Sequence, residues 1–516
     1  MSAERGSAPA IVFIGFMGAG KSTALAAARQ VGLETIEVDE LMEREMGLPI
    51  TAAFERFGEE GFREREAELV GGLLERIEGG AIGLGGGSVL SPRIRAALAR
   101  HIVVWLQVGP TEAWRRIAGS DRPLATSAED VERLLATRLP LYEELADAIV
   151  SPGDRGIAAR ALPAIQALAE LPAETKLLWA SSASGEYPIL VGRGLLGAGW
   201  WPLQGRRFAI SDRNILAAVG DRAPAFDLLV EIPPGERSKS LAEADSILRQ
   251  FAQAGMTRED HVVALGGGVV GDLGGFCAHL YQRGVPVVQM PTTLVAQVDS
   301  AYGGKTGVDL PEGKNYAGAY HRPSAVITDP SALASLPPGE LASGFVEVLK
   351  TGLLAGGELW DQVRAIEAID VDGLDDVIFR CARYKCEVVA ADETDRGLRH
   401  VLNLGHTVGH AIETATGYAR YRHGEAVGLG LLAALTLSAQ PALREEVAGL
   451  LTARGLPTRL DPAIDPADVV AAMARDKKRR GGRVGFALVE APGDVRTGIA
   501  VAPDDLRAAV AELERS

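Results

Sequence analysis

Cysteine is scarce in this sequence, and the few cysteines are not arranged in pairs. Cys277, Cys381 and Cys386 form neither a C-x-x-C motif nor an even framework. This excludes a scaffold built on disulfides and indicates a reducing compartment. Each cysteine is predicted to be a small, buried, apolar residue.

Long apolar runs and an excess of basic residues are missing as well. No run is long enough to span a bilayer, and the early run IVFIGF is too short for a signal peptide. The 53 Lys and Arg residues are outnumbered by 68 Asp and Glu residues, and the net charge of −15 argues against a nucleic-acid binder. We therefore expect a cytoplasmic protein without membrane or nucleic-acid partners, whose anionic ligands are held by local basic residues.

The remaining composition is typical of soluble α/β enzymes. The chain has 516 residues, enough for two to four domains, with 61 glycines, 47% hydrophobic residues and only 5% aromatic residues. Alternating strand-like and helix-like segments predict mostly parallel sheets up to residue 335. Helical periodicity dominates from Pro337 onwards.

A phosphate loop follows the first predicted strand. Ile11–Ile14 is predicted to be a buried parallel strand, and the residues after it match G-x-x-x-x-G-K-S before a helical segment. Glycines such as Gly18 and Gly20 let backbone N–H groups surround phosphate oxygens, while Lys21 reaches the β and γ phosphates. Ser22 is a candidate ligand of Mg²⁺. This half of the chain is therefore predicted to bind ATP with Mg²⁺ and to transfer a phosphoryl group.

Further candidate residues follow the other strands of this half. Asp39 follows the predicted strand Thr35–Val38, at the sheet edge where ligands bind, and Arg63 follows a helical stretch. The predicted strand Ala81–Leu84 opens into a Gly-Gly-Gly turn, which has no side chain to obstruct a small ring. Arginines beyond the strand Ile102–Leu106 suit the charge that develops in phosphoryl transfer.

These motifs resemble shikimate kinase over nearly all of residues 8–170. The segments GFMGAGKST, VDELME, FGEEGFREREAE, GLGGGSVLS, DRPL and RLPLYEELAD carry the resemblance. It implies that Asp39 accepts the proton of the attacking hydroxyl or orients it, and that Arg122 lies on a lid over ATP. The implied shikimate-binding residues are Asp39, Arg63, Gly85, Gly86, Gly87 and Arg138. The implied ATP- and magnesium-binding residues are Gly18, Gly20, Lys21, Ser22, Thr23 and Arg122.

Glu37 is a departure from the family pattern, which usually has a second aspartate at this position. That aspartate assists Mg²⁺ through a water molecule, a role that the longer Glu37 side chain can still fill. The alternative is another small-molecule kinase with a phosphate loop. The Phe62-Arg63 and Gly-Gly-Gly elements at these positions argue against it.

Composition also predicts the domain organisation. Three prolines between 152 and 172 and the Ser-rich stretch 181–185 indicate a join between domains. We predict a phosphate-loop α/β domain with a parallel sheet over 1–172 and a linker over 173–185. A Rossmann-like, NAD-binding α/β domain is predicted over 186–335, followed by a mostly α-helical metal- and substrate-binding domain over 336–516.

The second half contains part of a dinucleotide-binding motif. The predicted strand His261–Leu265 runs into GGGVVG, which fits G-x-G-x-x-G between a strand and a helix. The usual acidic residue about 20 positions downstream is missing, so the candidates for binding ribose lie upstream, in Asp212 and Glu236. From this stretch alone, a nucleotide site and a purely structural turn are both open.

Lysines follow in a Gly-rich segment. Lys305 and Lys314 lie among glycines, close in sequence to Asp299 and Asn315. Lysines in such a setting are predicted to contact phosphate groups. The alternative is a solvated loop, because isolated lysines are usually exposed.

Histidines cluster late in the chain. Four of the eight lie within residues 400–423, and the spacing of His406 and His410 puts both on one face of a helix. Upstream, Glu347 lies on an otherwise apolar helical segment, with Lys350 on the same face. Two histidines and one glutamate are a common ligand set of catalytic zinc. The alternative is a group of hydrogen-bonded core histidines.

Residues 186–516 resemble 3-dehydroquinate synthase. The resemblance is carried by PPGERSKS, ALGGGVVGDLGGFCA, YQRGVP, PTTLVAQVDSAYGGKTGVD, GKNYAGAYHRP, VEVLK, RGLRHVLNLGHTVGHAIE and YRHGEAVGLG. It implies conversion of 3-deoxy-D-arabino-heptulosonate 7-phosphate to 3-dehydroquinate and phosphate, with NAD⁺ accepting and returning a hydride. It also implies a homodimer formed through this half. The whole chain is thus predicted to be a fusion of two shikimate-pathway enzymes.

The resemblance also implies the site residues of this half. Zinc or cobalt is implied on Glu347, His406 and His423, whereas His410 is implied to transfer a proton near the substrate phosphate. The implied NAD-binding residues are Asp212, Asn214, Glu236, Lys239, Gly267, Gly268, Asp272, Thr292, Thr293, Lys305 and Lys314. The implied substrate-binding residues are Arg283, Lys305, Asn315, Lys385, Arg399, Asn403 and Lys478, with Asp299 and Lys350 contacting hydroxyl groups.

One departure and three alternatives accompany this second resemblance. Gly339 stands where the family commonly has arginine, which leaves the local loop geometry open. The alternatives are a related sugar-phosphate cyclase, a polyol dehydrogenase of similar fold, and a binding protein that has lost its chemistry. Lys385 and Arg399 favour a carboxylated substrate, because arginine can bind a carboxylate with two hydrogen bonds. Lys305 and Asn315 favour a phosphorylated one.

Overall fold

The computed structural model describes residues 8–118, 127–154, 156–479 and 485–515. Contacts divide the chain into two compact units, residues 1–181 with 186–202 and residues 182–185 with 203–516. Both units contain a parallel sheet with helices, so the predicted α/β class is confirmed. Within the described ranges, no helix is long and apolar enough to cross a membrane.

The first unit is built on a mostly parallel sheet. Its strands are β1 Ile11–Ile14, β2 Thr35–Glu37, β3 Ala81–Gly83, β4 Ile102–Leu106, β5 Ala148–Val150, β6 Lys176–Ser182 and β7 Gly185–Val191. Its helices are α1 Lys21–Gln30, α2 Val38–Met46, α3 Ile50–Leu74, α4 Pro92–Leu98, α5 Pro110–Ile117, α6 Ala128–Leu145 and α7 Ile157–Ala167. The strand order is β2-β3-β1-β4-β5-β6-β7, with parallel pairing from β2 through β6.

The central strands of this sheet are uninterrupted apolar runs. Every residue of β1 and β4 is buried, as expected for parallel strands covered on both faces. In the register of this pair, Ile11 lies opposite Ile102 and Ile14 lies opposite Trp105. The carboxyl ends of the strands therefore align, and the loops that follow them meet at one edge of the sheet.

The stretch 173–185, predicted to be a linker, contains strand β6 instead. This strand pairs with β5, placing Leu177 opposite Ala148 and Trp179 opposite Val150. Leu177 and Leu178 are buried, so the apolar run before the serines was the stronger signal, and it indicates a strand. The serines themselves form the end of β6 and the turn into β7. The boundaries of the predicted domains remain predictions.

The second unit combines a parallel sheet with a helical part. Its strands are β8 Arg207–Asp212, β9 Leu228–Ile232, β10 His261–Gly266, β11 Val287–Pro291, β12 Lys305–Leu310, β13 Gly313–Tyr320, β14 Ala325–Thr328, β15 Phe486–Ala491 and β16 Asp494–Ile499. Its helices up to the histidine cluster are α8 Arg213–Val219, α9 Leu241–Gln253, α10 Gly268–Leu280, α11 Pro338–Ala355, α12 Gly357–Ala365 and α13 Asp375–Ala391. The remaining helices are α14 His406–Ala415, α15 His423–Leu437, α16 Pro441–Thr452, α17 Pro466–Arg479 and α18 Pro503–Arg515.

The sheet of this unit has the order β14-β11-β10-β8-β9, and all its pairs are parallel. Two antiparallel hairpins, β12–β13 and β15–β16, lie outside it. The predicted Rossmann-like sheet followed by a helical part is confirmed. The first hairpin was not predicted, because its Gly-rich strands lack an alternating apolar pattern.

Close helix packing brings the histidine-bearing helices together. A Cβ on Gly430 of α15 would lie 2.0 Å from the carbonyl oxygen of Gly405, the residue before α14. Only glycine permits this approach. The helix that starts at His406 is therefore in backbone contact with the helix that starts at His423.

Two buried histidines are expected to make the units sensitive to acid. His101 Nδ1 accepts a hydrogen bond from the Ala10 backbone N–H at 3.2 Å, so Nε2 donates to the Leu74 carbonyl at 2.8 Å and the ring is neutral. Burial lowers the pKa of His101. Burial, with Arg207 nearby, lowers the pKa of His261 to about 4.

The unfolded chain binds these protons near pH 6.5, whereas the folded chain binds them only at a lower pH. Stability is therefore expected to fall as the pH is lowered from 7.5 to 5.5, by up to about 1.4 kcal/mol per pH unit for each histidine. Calorimetry should show a smaller pH dependence of the first unit's transition in His101→Asn, with the exposed His279→Asn as control. An unchanged pH dependence in His101→Asn would contradict this assignment.

Candidate functional site

The phosphate loop of the first unit joins β1 to α1 through left-handed glycines. Gly18 has a φ of 77° and Gly20 one of 98°, values that residues with a side chain rarely adopt. Lys21 Nζ donates to the carbonyl oxygens of Gly15 at 2.9 Å and Phe16 at 3.1 Å, so its ammonium lies across the loop. The loop ends at the N-terminus of α1, where backbone N–H groups favour anions.

Glu37 lies beside the candidate magnesium ligand. Burial raises the pKa of its carboxyl, and a hydrogen bond with Ser22 acts in the opposite direction. A hydroxyl and a carboxyl oxygen in contact are the oxygen donors that Mg²⁺ prefers. Glu37 and Ser22 thus lie in contact at the phosphate loop, and the role of Glu37 beside Mg²⁺ stays a prediction.

Arg63 is held against the Gly-Gly-Gly turn. Its Nη1 lies 2.5 Å from Glu66 Oε2, and Ser88 Oγ donates to the other Glu66 oxygen at 2.6 Å. A Cβ on Gly87 would lie 2.1 Å from Arg63 Nη2, so the guanidinium occupies the place of a side chain. Sequence reasoning assigned no role to the buried Glu66, although its i, i+3 spacing from Arg63 on a helix was a signal.

A second arginine reaches the same turn from α6. Arg138 is buried and its Nη1 donates to the Gly86 carbonyl at 3.2 Å, while the Tyr142 hydroxyl donates to the same oxygen at 2.5 Å. Burial raises the pKa of Tyr142 to about 12, which keeps it a donor. A Cβ on Gly85 would lie 3.3 Å from Asp39 Oδ1. The predicted shikimate-binding residues thus converge on one turn.

The predicted lid lies outside the described residues. Arg122 falls in the range 119–126, so its role stays a prediction. Arg116 reaches the phosphate loop instead, because its Nη1 donates to the Gly18 carbonyl at 2.9 Å. Glu112 holds Arg116 through a 2.6 Å hydrogen bond to Nε. Arg116, one of the arginines that follow strand β4, is therefore directed at the phosphate loop.

The second unit has a cavity of about 1690 Å³ beyond the carboxyl ends of β8, β9, β10 and β11. Its lining includes every predicted NAD-binding residue: Asp212, Asn214, Glu236, Lys239, Gly267, Gly268, Asp272, Thr292, Thr293, Lys305 and Lys314. Asp299, Asn315, Asn403, His410 and His423 also line it. The carboxyl edge of a parallel sheet is where dinucleotides bind in doubly wound folds.

Three of the cavity-lining residues, Asp212, Lys239 and Asp272, have hydrogen-bond or ion-pair partners in the cavity wall. The Asp212 carboxylate caps α8, accepting from the backbone N–H of Asn214 at 2.8 Å. Lys239 Nζ lies 2.6 Å from Asp272 Oδ2 in a largely buried ion pair. Burial opposes the charge of Lys239, but Asp272 and Glu236 raise its pKa, so the ammonium is kept protonated.

Glu347, His406 and His423 form a close group in the helical part. His406 Nε2 and His423 Nε2 each lie 3.5 Å from Glu347 Oε1, and one donor atom from each residue lies within 4.8 Å of the others. Glu347 is buried on α11, whereas the histidines are the first residues of α14 and α15. The three residues thus belong to three different helices.

The protonation of this group fits a divalent metal. Burial opposes ionisation of Glu347, but Lys350 at 2.5 Å and the His423 imidazole hold its pKa well below the usual range. Burial and Lys350 lower the pKa of His406 to about 3, so its imidazole is neutral. Burial also opposes the charge of His423, yet the neighbouring Glu347 and Glu413 carboxylates raise its pKa to about 9. A bound cation would replace that proton.

The types of ligand atom in Glu347, His406 and His423 also fit a divalent metal. Within the described part of the chain, no donor gives the buried Glu347 carboxylate a hydrogen bond of ordinary geometry. Two imidazole nitrogens and one carboxylate are ligands that zinc accepts, with a position left open. His410, Glu413 and His423 form a second close group, in which Glu413 Oε1 lies 3.4 Å from His423 Nδ1. Sequence reasoning assigned no role to Glu413.

Basic residues near this group are held by acidic or carbonyl oxygens. Lys385 Nζ lies 2.5 Å from Asp299 Oδ1. Arg399 is buried, donating from Nη1 to the Glu393 carbonyl at 2.6 Å and from Nη2 to the Gly303 carbonyl at 3.2 Å. Arg399 Nε is buried and has no hydrogen-bond partner among the described residues. Neither Lys385 nor Arg399 is among the described residues that line the cavity, so their roles in substrate binding stay predictions.

The remaining predicted residues are less well placed. Lys305 pairs with Asp395, a residue that sequence reasoning did not single out. Arg283 lies in a turn after α10 with a φ of 70° and is not among the described residues that line the cavity. Lys478 lies at the end of α17, but its side chain is outside the described part of the chain. The roles of Arg283 and Lys478 stay predictions.

Three family models match the chain. The shikimate kinase model matches residues 17–168. The model for the N-terminal part of 3-dehydroquinate synthase matches residues 229–343, and the model for its C-terminal part matches residues 344–479. The matched ranges contain the phosphate loop's lysine, most of the cavity-lining residues and the Glu347 group.

Three similar proteins each cover about two thirds of the chain. The chain is 43% identical over 352 residues to a 3-dehydroquinate synthase from Symbiobacterium thermophilum, covering 64% of this chain and 98% of that protein. It is 28% identical to a solved 2-epi-5-epi-valiolone synthase from Streptomyces hygroscopicus subsp. jinggangensis with NAD⁺ and Zn²⁺ bound, covering 63% of this chain and 96% of that one with a TM-score of 0.58. A 2-deoxy-scyllo-inosose synthase complexed with carbaglucose-6-phosphate, NAD⁺ and Co²⁺ shares the fold at 23% identity and a TM-score of 0.58, covering 66% of this chain and 99% of that one.

Proposed function

We propose that this chain, which belongs to the 3-dehydroquinate synthase family and carries a shikimate kinase domain before it, catalyses two separate reactions with the residues described above. The first is phosphorylation of shikimate by ATP. The second is conversion of 3-deoxy-D-arabino-heptulosonate 7-phosphate to 3-dehydroquinate and phosphate. We also propose domain boundaries at 1–172, 186–335 and 336–516.

The kinase reaction is supported by the convergence of two arginines and one aspartate on the turn 85–87, next to the phosphate loop. Arg63 and Arg138 offer guanidinium groups that suit the shikimate carboxylate. Asp39 orients the attacking hydroxyl or accepts its proton. Lys21 and the loop N–H groups hold the transferred phosphate, with Mg²⁺ on Ser22 and Glu37 assisting.

The synthase reaction is supported mainly by the Glu347, His406 and His423 group beside a cavity lined by NAD-type residues. These three residues would hold zinc or cobalt. When bound, the metal supplies Lewis-acid polarisation of a substrate hydroxyl, and NAD⁺ supplies reversible hydride acceptance. Lys350 keeps Glu347 ionised through its 2.5 Å contact. Asp299 is paired with Lys385 and would hold substrate hydroxyl groups at the cavity wall.

Other residues would position the remaining parts of the substrate. Arg399 would bind the carboxylate through its unused Nε, and Lys305 with Asn315 would bind the phosphate. His410 lines the cavity and would move a proton next to that phosphate. We further propose a cytoplasmic homodimer formed through the synthase half, which sedimentation of the purified chain can test.

Phosphate release from candidate substrates tests the synthase assignment. The purified chain with NAD⁺ and zinc is expected to release phosphate from the heptulosonate 7-phosphate and not from sedoheptulose 7-phosphate or glucose 6-phosphate. Chelation should abolish the release. Release from a sugar that lacks the carboxylate would assign the chain to another sugar-phosphate cyclase and contradict the role of Arg399. ADP formation that depends on shikimate tests the kinase.

Gly87→Ala is expected to impair shikimate binding selectively. The added Cβ would lie 2.1 Å from Arg63 Nη2 and displace the guanidinium. Losing a charge-assisted hydrogen bond costs about 1.5–3 kcal/mol, so the KM for shikimate should rise about 10- to 150-fold while the KM for ATP changes little. Gly109→Ala, where a Cβ would meet nothing within 4 Å, is the control. An equal rise in both KM values would contradict the role of Arg63.

A further inference from the structure

One guanidinium, that of Arg422, pairs with carboxylates in the first turns of both α15 and α11. Arg422, the residue before His423, donates from Nε to Glu340 Oε1 at 2.8 Å and from Nη1 to Glu425 Oε1 at 3.0 Å. Its backbone N–H donates to the other Glu425 oxygen at 2.8 Å, so the Glu425 carboxylate caps the first turn of α15. Glu340 lies in the first turn of α11 and Glu425 in the first turn of α15. One side chain therefore joins the first turns of two helices that carry proposed metal ligands.

Gly339 provides the space for this guanidinium. A Cβ on Gly339 would lie 2.9 Å from Arg422 Cζ and 3.0 and 3.2 Å from its two terminal nitrogens. Gly339 is also the position where the sequence departs from the usual arginine. The structure therefore places a guanidinium beside the backbone of residue 339, although the arginine that supplies it lies on a different helix.

A second contact fixes the same junction. The Gly424 backbone N–H donates to Ser343 Oγ at 3.0 Å, and a Cβ on Gly424 would lie 1.9 Å from the Ser343 carbonyl oxygen. Ser343 is one helical turn before Glu347. The backbone of α15 thus rests directly on α11 next to the ligand, and this contact sets where His423 meets Glu347.

We propose that Arg422 is a positioning residue for the metal site, and that Gly339 and Arg422 form a matched pair. The inference rests on the proposed ligand set Glu347, His406 and His423. Among the described residues, Arg422 pairs with Glu340 and Glu425 and not with a ligand side chain, and its own side chain is about half exposed, so these ion pairs contribute little energy by themselves. Its proposed role is to orient the first turn of α15, which carries the His423 ring. Residues that orient ligands typically change metal affinity 10- to 100-fold.

The test measures zinc affinity of the metal-free full chain by competition with a chromophoric chelator, together with the visible absorption of the cobalt-loaded chain. Arg422→Leu is expected to weaken zinc binding about tenfold and to change the cobalt spectrum, and Arg422→Lys to restore part of both. Arg420→Leu is the matched control, because Arg420 lies two residues away and pairs with Asp461 instead. Kinase activity should be unchanged in every variant.

The matched pair predicts that two substitutions, each of which weakens zinc binding alone, compensate each other when combined. Gly339→Arg alone is expected to weaken zinc binding about tenfold, because it places a second cation against Arg422. Combining Gly339→Arg with Arg422→Leu should restore affinity to within about threefold of the parent chain, since one guanidinium is again available for Glu340 and Glu425. This variant also keeps the test valid if Arg422→Leu alone fails to fold.

Two results would overturn the inference. Equal zinc affinity and cobalt spectra in Arg422→Leu and Arg420→Leu would show that Arg422 does not position the ligands. A double variant as weak as the product of its single variants would exclude the matched pair. Failure of the proposed metal site is distinguished separately, because Glu347→Gln would then bind zinc as tightly as the parent chain.

Discussion

Glu347→Gln is expected to abolish synthase turnover while leaving the kinase intact. The substitution removes the anionic ligand but keeps the side-chain volume, so zinc affinity and phosphate release should both fall. Lewis-acid stabilisation contributes several kcal/mol, and about 4 kcal/mol corresponds to a loss of about 10³-fold. Phosphate release from the heptulosonate, ADP formation with shikimate and zinc content are to be measured on one preparation.

The controls for this prediction separate lost chemistry from lost folding. The variant leaves the buried Lys350 without its anionic partner, which destabilises the second unit. His423→Gln removes a different ligand without that cost and should give the same loss. Glu358→Gln is the control and should be active, because it removes an exposed carboxylate of α12 that pairs with Arg380 of α13. Zinc-dependent turnover above about a tenth of the parent in both ligand variants would contradict the metal set.

Lys21→Met is expected to give the opposite phenotype. The substitution removes the ammonium that lies across the phosphate loop but keeps a side chain of similar length. Removing one electrostatic group that acts on a developing charge costs about 10²–10³-fold in kcat. Kinase turnover should fall by about this factor, whereas phosphate release by the synthase should stay within twofold of the parent chain.

Lys176→Met serves as the comparison, because it removes a lysine from β6, which is far along the chain from the phosphate loop. Both kinase and synthase assays are needed on each protein. A parallel decline of both activities in Lys21→Met would mean that the variant disturbs the whole chain. An unchanged kinase would show that this loop does not transfer the phosphate.

Contiguous motifs were read correctly because their geometry is local. The phosphate loop depends on glycines at neighbouring positions with positive φ, and these determine the turn whatever surrounds it. The strands Ile11–Ile14 and Ile102–Leu106 have the predicted bounds, since short apolar runs in an α/β pattern have few other conformations. Within 173–185 the apolar run before the serines forms strand β6, although the serines and the prolines upstream favoured a linker in the prediction.

Residue spacing within one helix could not select the histidines that meet Glu347. His406 and His410 share a helix face, and from spacing alone both were candidates. Their rings are 5.3 Å apart, but it is His423, from another helix, whose Nε2 lies 3.5 Å from Glu347. This selection depends on how α11, α14 and α15 pack, which residue spacing within one helix cannot encode.

By itself the sequence determined the α/β class, the phosphate loop, the residue types available for chemistry and, through resemblance, the two enzyme families. These properties reside in adjacent residues or in short periodic patterns. Only the tertiary structure decided which distant side chains meet: Glu413 with His423, and Arg422 with Gly339. The physical reason is that such contacts are set by the close packing of separate helices, where a missing Cβ or a single guanidinium changes which atoms can approach.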